Sequence, residues 1–419
     1  MSVNGAVVAV VGAGFKGKRP IHAKLAALGA RLVIIDEPGH WSEELVDAGI
    51  AWRWLAARVL GNPDRDAEAV REALTEAGVR PDAVLTYWEN AIGVTARVAT
   101  ALGLPSNPVA AIDAARSKVR TRELSAELGI PSPRAQRVRS LDELFAVAPA
   151  VGFPAVVKPE FGASAVGCVK VDGVEDLPRI YSLVRSVVTP DHNEIFRTGN
   201  DLLIEEYLDG VEFDVDLVMH DGLCVFSSVS QNWPTAEPSF QETGLHIPAD
   251  YDRKAVARLV EHCIRTAQGF GLTRGVLHIE GKCTSRGPRV VEVNARMGGG
   301  RIHEYVRQVW GVDLVEAHLR SALDLPPNCS PARKPLCAVV DTLIYAPASG
   351  RLANLSLDLS PASDGSVPVA DIQVTVGDEV HGPEEVFATL LVEVSVAAKN
   401  LKSARAVAAA VVRSPPVIA

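Results

Sequence analysis

The feature that most constrains the fold is a pair of segments in which apolar and polar residues alternate. Val276–Gly281 and Val290–Arg296 each have the pattern of a β-strand, and the turn-forming residues Thr284–Pro288 lie between them. Such a pattern predicts an antiparallel hairpin folded about Arg286. A glycine turn, Met297–Gly300, ends the second strand.

One face of this hairpin would concentrate polar side chains. Because every second side chain of a strand faces the same way, Glu280 is expected opposite Glu292, and His278 opposite Asn294. Two carboxylates this close repel each other unless a cation lies between them. Together with Asn294 and the neighbouring Arg296, they would suit a hard metal ion beside a developing negative charge. The alternative is a solvated polar face on an edge hairpin.

The bulk composition narrows the class of protein. A chain of 419 residues with 47% hydrophobic and 22% charged residues is typical of a globular protein with two to four structural units. A net charge of −9 argues against non-specific nucleic-acid binding. Six scattered cysteines without a Cys-x-x-Cys pair predict reduced thiols, a cytoplasmic protein and no zinc site. The apolar start, Ala6–Val11, is too short for a signal peptide or a membrane span, and it predicts a buried first strand.

Up to about residue 115, predicted strands and helices alternate, as in a parallel sheet wound with helices. Here Gly12–Gly17 matches the G-x-G-x-x-G pattern, and Asp36 follows at the spacing of a dinucleotide-binding site. Against that interpretation, Lys18 and its basic neighbours crowd the turn, and Pro20 stands where the helix should begin. A glycine turn that simply begins a doubly wound domain is the alternative.

Two lysines frame a second glycine-rich segment. Lys118 begins a predicted helix, and Phe153–Pro159 is a short β-branched strand that includes Lys158. The next residues, Glu160–Gly167, form a loop rich in glycine, alanine and serine before the chain returns in another strand. Such a loop can bring backbone N–H groups close to an anion. Lys158 beside it favours a phosphate site over an ordinary hairpin loop.

In this order the segments resemble the ATP-grasp superfamily of carboxylate–amine ligases. Within it they are most similar to the L-amino acid ligase and carnosine synthase-type enzymes, which share an Asn-Ala/Pro-Arg-Met-Gly-Gly-type segment. The resemblance runs from about residue 1 to 400, and its most specific parts are Lys118 with Gly129–Pro131, Val157–Pro159 with the glycine loop, Glu205–Glu212, and Glu280 with Glu292–Arg296. It implies a mixed α/β and α+β fold with an N-terminal doubly wound parallel-sheet domain (1–115), a small lid (116–204), a central antiparallel-sheet catalytic subdomain (205–328) and a small β-rich C-terminal lobe (329–419).

The resemblance also implies roles for individual residues. ATP would be bound by Lys118, Lys158, Gly162, Ser164, Gly167, Glu205, Tyr207, Leu208 and Glu212. Two Mg²⁺ ions, with Mn²⁺ as an alternative, would be held by Glu280, Glu292 and Asn294. Arg296 and His246 would be catalytic, and the substrate would contact Met297, Gly298, Gly299, Arg301 and Trp233. For His246, Trp233 and Met297 a purely structural role is the alternative, and for Arg301 the alternative is a surface role.

The expected activity is an ATP-dependent ligase that phosphorylates the carboxylate of one amino acid and joins it to the amine of another. The products would be a dipeptide or related amide, ADP and phosphate. The resemblance further implies a homodimer that acts on small molecules, without nucleic-acid or membrane partners. The alternatives are a nicotinamide-dependent oxidoreductase built on Gly12–Gly17, a non-catalytic nucleotide-binding protein, and an ATP-grasp ligase of the purine-biosynthesis or carboxylase type.

Overall fold

The N-terminal part of the chain forms a four-stranded parallel sheet with helices between its strands. The structure is a computed structural model and describes residues 2–383, 387–411 and 416–419. The strands are β1 (Val7–Val11), β2 (Arg31–Asp36), β3 (Arg53–Ala56) and β4 (Ala83–Leu85), in the spatial order β3-β2-β1-β4. The helices are α1 (Arg19–Ala27), α2 (Glu44–Asp47), α3 (Pro63–Glu76) and α4 (Ile92–Ala101). The predicted doubly wound domain is confirmed.

A second sheet of four antiparallel strands follows two connecting helices, α5 (Val109–Arg116) and α6 (Lys118–Glu127). Its elements are β5 (Ala135–Val138), α7 (Leu141–Val151), β6 (Ala155–Pro159), β7 (Val169–Val171), α8 (Leu177–Val187) and β8 (Leu202–Glu206), with the strand order β5-β8-β6-β7. Apolar residues of α7 and α8 pack with those of the strands in a core of their own. This sheet and its two helices therefore form a small unit with its own hydrophobic core.

The largest sheet has eight antiparallel strands, and it carries the predicted hairpin at one edge. Its first strands are β9 (Val211–His220), β10 (Leu223–Asn232), β11 (Gly244–Ile247), β12 (Gly275–Thr284) and β13 (Gly287–Asn294), accompanied by α9 (Arg253–Phe270), α10 (Ile302–Trp310) and α11 (Leu314–Ala322). The remaining elements are β14 (Ala338–Tyr345), β15 (Gly350–Asn354), β16 (Pro368–Ile372), β17 (Glu379–Val380), β18 (Leu390–Ala398), α12 (Leu401–Val411) and β19 (Val417–Ile418). The spatial order is β13-β12-β9-β10-β11-β14-β18-β16.

Two helices, α9 and α12, cover one face of this sheet. Along β9, β12 and β13, one set of alternating side chains packs on α9, whereas α12 packs on alternating residues of β14 and β18. The strands β15, β17 and β19 form a separate three-stranded sheet. Helix α9 is the longest of the described helices, and none of them is both long and apolar enough to cross a membrane.

The last fifth of the chain is less separate than the predicted C-terminal lobe suggests. Strands β14, β16 and β18 lie beyond residue 328, yet they continue the sheet that β9–β13 begin. The division into four units at residues 115, 204 and 328 remains a proposal. The shared sheet means that residues from both sides of residue 328 reach the same surface.

Candidate active site

The hairpin of β12 and β13 has the register predicted from the sequence. Glu280 pairs directly with Glu292, and His278 pairs with Asn294. On its other side β12 pairs with β9, where Asp214 lies opposite Glu280. These side chains share one face of the sheet, because cross-strand partners project in the same direction. The predicted cluster of oxygen ligands is therefore present in space.

The two central carboxylates lie in different electrostatic environments. Burial raises the pKa of Glu280 well above its usual range, and the charges of Glu292 and Asp214 raise it further. Burial also pushes the pKa of Glu292 upward, but the Lys118 ammonium more than offsets this and leaves it lowered. A pair of buried carboxylates with an unneutralised member is chemically suited to a divalent cation. Among the described residues no group of three His, Cys, Asp or Glu side chains is placed to hold a metal, so the third ligand would be the amide of Asn294.

Two buried lysines point toward this carboxylate face from the smaller sheet and its neighbouring helix. Lys118, the first residue of α6, places its Nζ 2.8 Å from Glu292 Oε1. Lys158, on β6, places its Nζ 2.7 Å from Glu205 Oε1. The other oxygen of Glu205 is 2.6 Å from Nε of Arg122. Burial alone would raise the pKa of Glu205, but these two cations lower it to about 2.

The loop between β6 and β7 has a backbone that few sequences could adopt. Ser164 and Ala165 have φ values of 54° and 55°, and Gly167 has a φ of 77°. A Cβ added to Gly167 would lie 2.8 Å from Val188 Cγ2, so glycine is required there by both conformation and space. Nζ of Lys118 lies 3.4 Å from the carbonyl oxygen of Gly162. The loop is thereby held close to the carboxylate face.

A first cavity, the nucleotide cavity, lies between the smaller sheet and the large sheet. It encloses about 890 Å³, part of it open to solvent, and its lining includes Lys118, Lys158, Gly162, Ser164, Glu205, Tyr207, Leu208, Glu212, Glu280 and Glu292. Tyr207 donates from its hydroxyl to Glu237 at 2.7 Å, and Glu212 pairs with Lys282 at 3.4 Å. All predicted ATP-binding residues except Gly167 line this cavity, and Gly167 instead fixes the loop from behind.

A second cavity, the substrate cavity, adjoins the first and encloses about 870 Å³. The two share Ala163, Ser164, Glu242, Glu280 and Glu292 in their linings. Of the predicted residues, the substrate cavity also contains Asn294, Arg296, Gly299 and Arg301. The carboxylate pair of the hairpin therefore stands at the junction of two cavities, which would place a nucleotide's terminal phosphate beside a second bound molecule.

The two arginines of the substrate cavity are held by acidic partners. Nε of Arg296 is 2.6 Å from Glu89 Oε2, and its NH2 donates to Asn294 Oδ1 at 3.2 Å. Arg301 forms an ion pair with Glu304 and donates to Ser395 Oγ at 3.1 Å. Arg296 is thus oriented across the end of the hairpin by a residue of the N-terminal domain.

The lining of the substrate cavity includes residues that were not predicted, among them Glu242, Tyr305, Asp341 and Glu393. Asp341 and Glu393 lie beyond residue 330, in a part of the chain where no site residue was predicted. Asp341 and Glu393 are single carboxylates within otherwise apolar strands, β14 and β18. That placement was the available signal, because a lone acid in an apolar strand that is covered on its other side faces either solvent or a polar cavity.

His246 and Trp233 line neither cavity, which corrects the predictions that His246 is catalytic and that Trp233 contacts the substrate. His246 pairs with Val340, whose side chain packs on α12. Its Nδ1 accepts from Trp233 Nε1 at 3.1 Å, and its Nε2 is 3.4 Å from Arg405 of α12. Burial, then the charge of Arg405, lowers the pKa of His246 to about 4. Alternation along β11 explains this placement, since the neighbouring Leu245 lines the cavity.

Two residues of the glycine turn also differ from expectation. Met297 is buried in the apolar core that includes Ile302 and Tyr305, and it does not line the substrate cavity. Gly298 packs against the His278 ring, where an added Cβ would lie 2.8 Å from Nδ1. Both residues support the site from beneath. Asp216, which pairs with His278 across β9 and β12, is fully buried and lies 2.9 Å from His278 Nδ1.

The glycine turn of the N-terminal domain does not have the geometry of a dinucleotide site. Asp36 is buried and accepts a hydrogen bond from the backbone N–H of Ala13 at 2.7 Å, so its carboxylate faces the glycine turn instead of a ribose. A Cβ at Gly14 would lie 2.8 Å from Lys18 Cδ and 3.1 Å from Trp88 Cε3. Because these side chains fill the space beside the turn, the oxidoreductase alternative is not favoured.

Comparisons with known proteins point in one direction. The model of the ATP-grasp domain matches residues 151–304, and that of the ATP-grasp N-terminal domain matches residues 23–106. Carnosine synthase 1 of Gallus gallus is 34% identical over 363 residues, which cover 83% of this chain and 38% of that protein. Alanine–anticapsin ligase of Bacillus subtilis is 25% identical over 252 residues, 56% of this chain and 52% of that protein.

The structure of an L-amino acid ligase from Bacillus licheniformis superimposes with a TM-score of 0.81 at 20% identity, covering 100% of this chain and 99% of that chain. This similarity shows a common fold. The chain spans less than half the length of the carnosine synthases that it matches.

Proposed function

This chain belongs to the ATP-grasp superfamily, and on that premise we propose that it is an ATP-dependent carboxylate–amine ligase acting on amino acids. It would convert the carboxylate of one amino acid into an acyl phosphate and join it to the amine of another. The similarity to carnosine synthase and alanine–anticapsin ligase supports amino acids as the substrate class.

One observation carries the proposal. Glu280 and Glu292 face each other at the junction of the nucleotide and substrate cavities, with the ammonium of Lys118 2.8 Å from Glu292. A ligase of this kind must bring two anions, a triphosphate and a carboxylate, into contact. A cation site between two cavities supplies the charge neutralisation that this contact requires.

On the nucleotide side, adenine would lie against Tyr207 and Leu208, and Glu212 would accept from the ribose hydroxyls. Lys118 and Lys158 would neutralise phosphate charge. Glu205 would act through Lys158, because both of its oxygens already contact cations. The loop that contains Gly162 and Ser164 would cover the terminal phosphates with its backbone N–H groups.

On the reacting side, a carboxylate oxygen of the first substrate would attack the γ-phosphorus, and ADP would leave. The amine of the second substrate would then attack the acyl carbon, phosphate would leave, and the amine would lose a proton. Glu280, Glu292 and Asn294 would hold Mg²⁺, in two ions, with Mn²⁺ as an alternative; the metal would supply charge neutralisation at the phosphates. Arg296 and the glycine-turn N–H groups would stabilise the tetrahedral oxyanion, where the loss of one donor typically costs about a hundredfold or more in rate.

The test is ADP release with Mg²⁺-ATP across pairs of amino acids, with products identified by mass spectrometry. Glu292→Ala is expected to abolish ADP formation while the circular dichroism spectrum stays that of the wild type. Glu261→Ala is the matched control, because Glu261 is exposed on α9, the helix that covers the opposite face of the hairpin. Wild-type turnover by Glu292→Ala, or no ADP from any pair with the wild type, would contradict the proposal.

We further infer a cytoplasmic protein, since all six cysteines are free thiols. A homodimer is proposed from the family alone. The two substrates and the order in which they are joined are addressed by the product analysis.

A further inference from the structure

The substrate cavity carries more carboxylates than cations. Its acidic lining residues are Asp214, Glu242, Glu280, Glu292, Asp341 and Glu393, and its cationic ones are Arg296, Arg301 and His278. Each of those cations already has an acidic partner outside the lining, namely Glu89, Glu304 and Asp216. Lys118, outside this lining, pairs with Glu292, and the remaining excess of carboxylates is available to a bound molecule.

Part of this charge lies far along the sheet from the hairpin. Asp341 of β14 and Glu393 of β18 are diagonal neighbours on the cavity face, because Asp341 pairs with Ser395 and Glu393 pairs with Leu343. The hydroxyl of Tyr305 donates to Glu393 Oε1 at 3.3 Å. These three residues come from different elements, so the fold, and not a local sequence motif, brings them together.

Asp341 gives an independent sign that this pair of carboxylates can bind a further group. Only 6% of the residue is exposed, and its Oδ1 has no hydrogen-bond partner among the described residues. A buried carboxylate oxygen without a partner is costly, and such atoms in native structures call for a specific explanation. Burial and the neighbouring Glu393 raise the pKa of Asp341 well above its usual range, as expected of two carboxylates that share one site.

We propose that Asp341, Glu393 and Tyr305 form a subsite for a cationic group of an amino-acid substrate, and that this group is one that does not react. The proposal rests on the ligase function proposed above and specifies the chemistry of one substrate. The cation is an ammonium, guanidinium or imidazolium. It belongs either to the α-amino group of the carboxylate donor or to the side chain of the amine donor.

The subsite suits a non-reacting group for an electrostatic reason. An amine must be neutral to attack an acyl phosphate, whereas two adjacent carboxylates favour its protonated form. Such a pair would therefore slow the reaction of any amine that it held. Glu393 also lies beside the glycine turn, 3.7 Å from the position of a Cβ built on Gly300. A substrate anchored there would extend toward the hairpin carboxylates at the other end of the cavity.

Direct binding tests this without turnover. The full chain is titrated calorimetrically with two matched pairs of probes: L-lysine against L-norleucine, and L-alanine against propionate. We expect the wild type to bind the charged member of at least one pair about 10- to 100-fold more tightly, the range of a charge-assisted hydrogen bond. The lysine pair reports a side-chain cation of the amine donor, and the alanine pair reports the α-amino group of the carboxylate donor.

Two substitutions, Asp341→Asn and Glu393→Gln, remove a charge while keeping the shape of the side chain. If one variant does not fold, the other still tests the subsite. Each is expected to reduce the preference to less than about threefold. Asp371→Asn is the matched control, because Asp371 is exposed on β16 directly opposite Glu393 and does not line the cavity. Equal binding of charged and neutral probes, or a preference that survives in both variants, would overturn the subsite. ADP release by the wild type is scored separately, so failure of the ligase function is distinguished from failure of the subsite.

Discussion

Replacing Glu280 by glutamine should stabilise the metal-free protein while removing its activity. Glu280 lies between Glu292 and Asp214 on adjacent strands. Cross-strand Cβ atoms are about 5 Å apart, and two unit charges at about that distance repel by about 3 kcal/mol at an effective dielectric constant of about 20. Because Lys118 offsets part of the Glu292 charge, we expect a net gain of about 1–3 kcal/mol.

The pH dependence of this gain follows from the direction of the pKa shift. The pKa of Glu280 is raised on folding, so the folded state holds its proton to higher pH than the unfolded state. Ionisation therefore costs the wild type stability as pH rises above about 4.5, the ordinary pKa of a glutamate. The advantage of Glu280→Gln should be small at about pH 4 and should grow toward pH 8.

The assay is urea unfolding followed by circular dichroism, with EDTA present, at several pH values. The midpoint for Glu280→Gln should exceed that of the wild type at pH 8, and added Mg²⁺ should raise the wild-type midpoint more than that of the variant. ADP release should fall by about a hundredfold or more, as expected when a metal ligand is lost. A variant that is less stable than the wild type in EDTA at pH 8 would refute the electrostatic reasoning, and one with wild-type turnover would refute the metal assignment.

Three further outcomes are expected. Glu205→Gln should destabilise the protein by about 3–5 kcal/mol at pH 7, because it leaves two buried cations without their shared carboxylate. Since the pKa of Glu205 is lowered to about 2, this contribution to stability is present above a pH of about 4.5 and is lost on acidification. The stabilities of the wild type and the variant should therefore converge in acid unfolding. Gly167→Ala should raise the KM for ATP and lower the melting temperature, because the φ of Gly167 is 77° and the new Cβ would lie 2.8 Å from Val188. Gly129→Ala is the control for backbone strain alone, since Gly129 has a φ of 64° and open space around it. Equal effects of the two substitutions would show that contact with Val188 is unimportant. His246→Gln should keep ADP release within about threefold of the wild type, because the side chain faces α12, and a loss of about a hundredfold would restore its catalytic assignment.

Much of the fold and part of the site could be predicted from local pattern. The alternation of strands and helices predicted the N-terminal parallel sheet, and the two-residue period of the hairpin predicted the pairing of Glu280 with Glu292. Both are short-range properties, set by side-chain direction within a strand and by a nearby turn. The loop after Lys158 was likewise predicted from its glycines.

The same periodicity led to the wrong placement of His246. Alternation assigns side chains to the two faces of a strand, but it does not indicate which face is packed by helices and which lines a cavity. In the large sheet one face is packed by α9 and α12, and the other opens into two cavities, so a strand with polar residues on either side is ambiguous until its partners are known. The G-x-G-x-x-G match at Gly12 misled for a related reason. Its space is filled by Lys18 and by Trp88, which comes from a different turn.

By itself, then, the sequence determined which side chains share one face of each strand and which turns require glycine, since both properties depend on residues a few positions apart. Only the tertiary structure decided that Lys118 meets Glu292 across 174 positions of the chain, and that Asp341 and Glu393 share a cavity with the hairpin. Those encounters depend on which strands become neighbours in an eight-stranded sheet, and strand order is fixed by packing of whole elements instead of by local residue patterns.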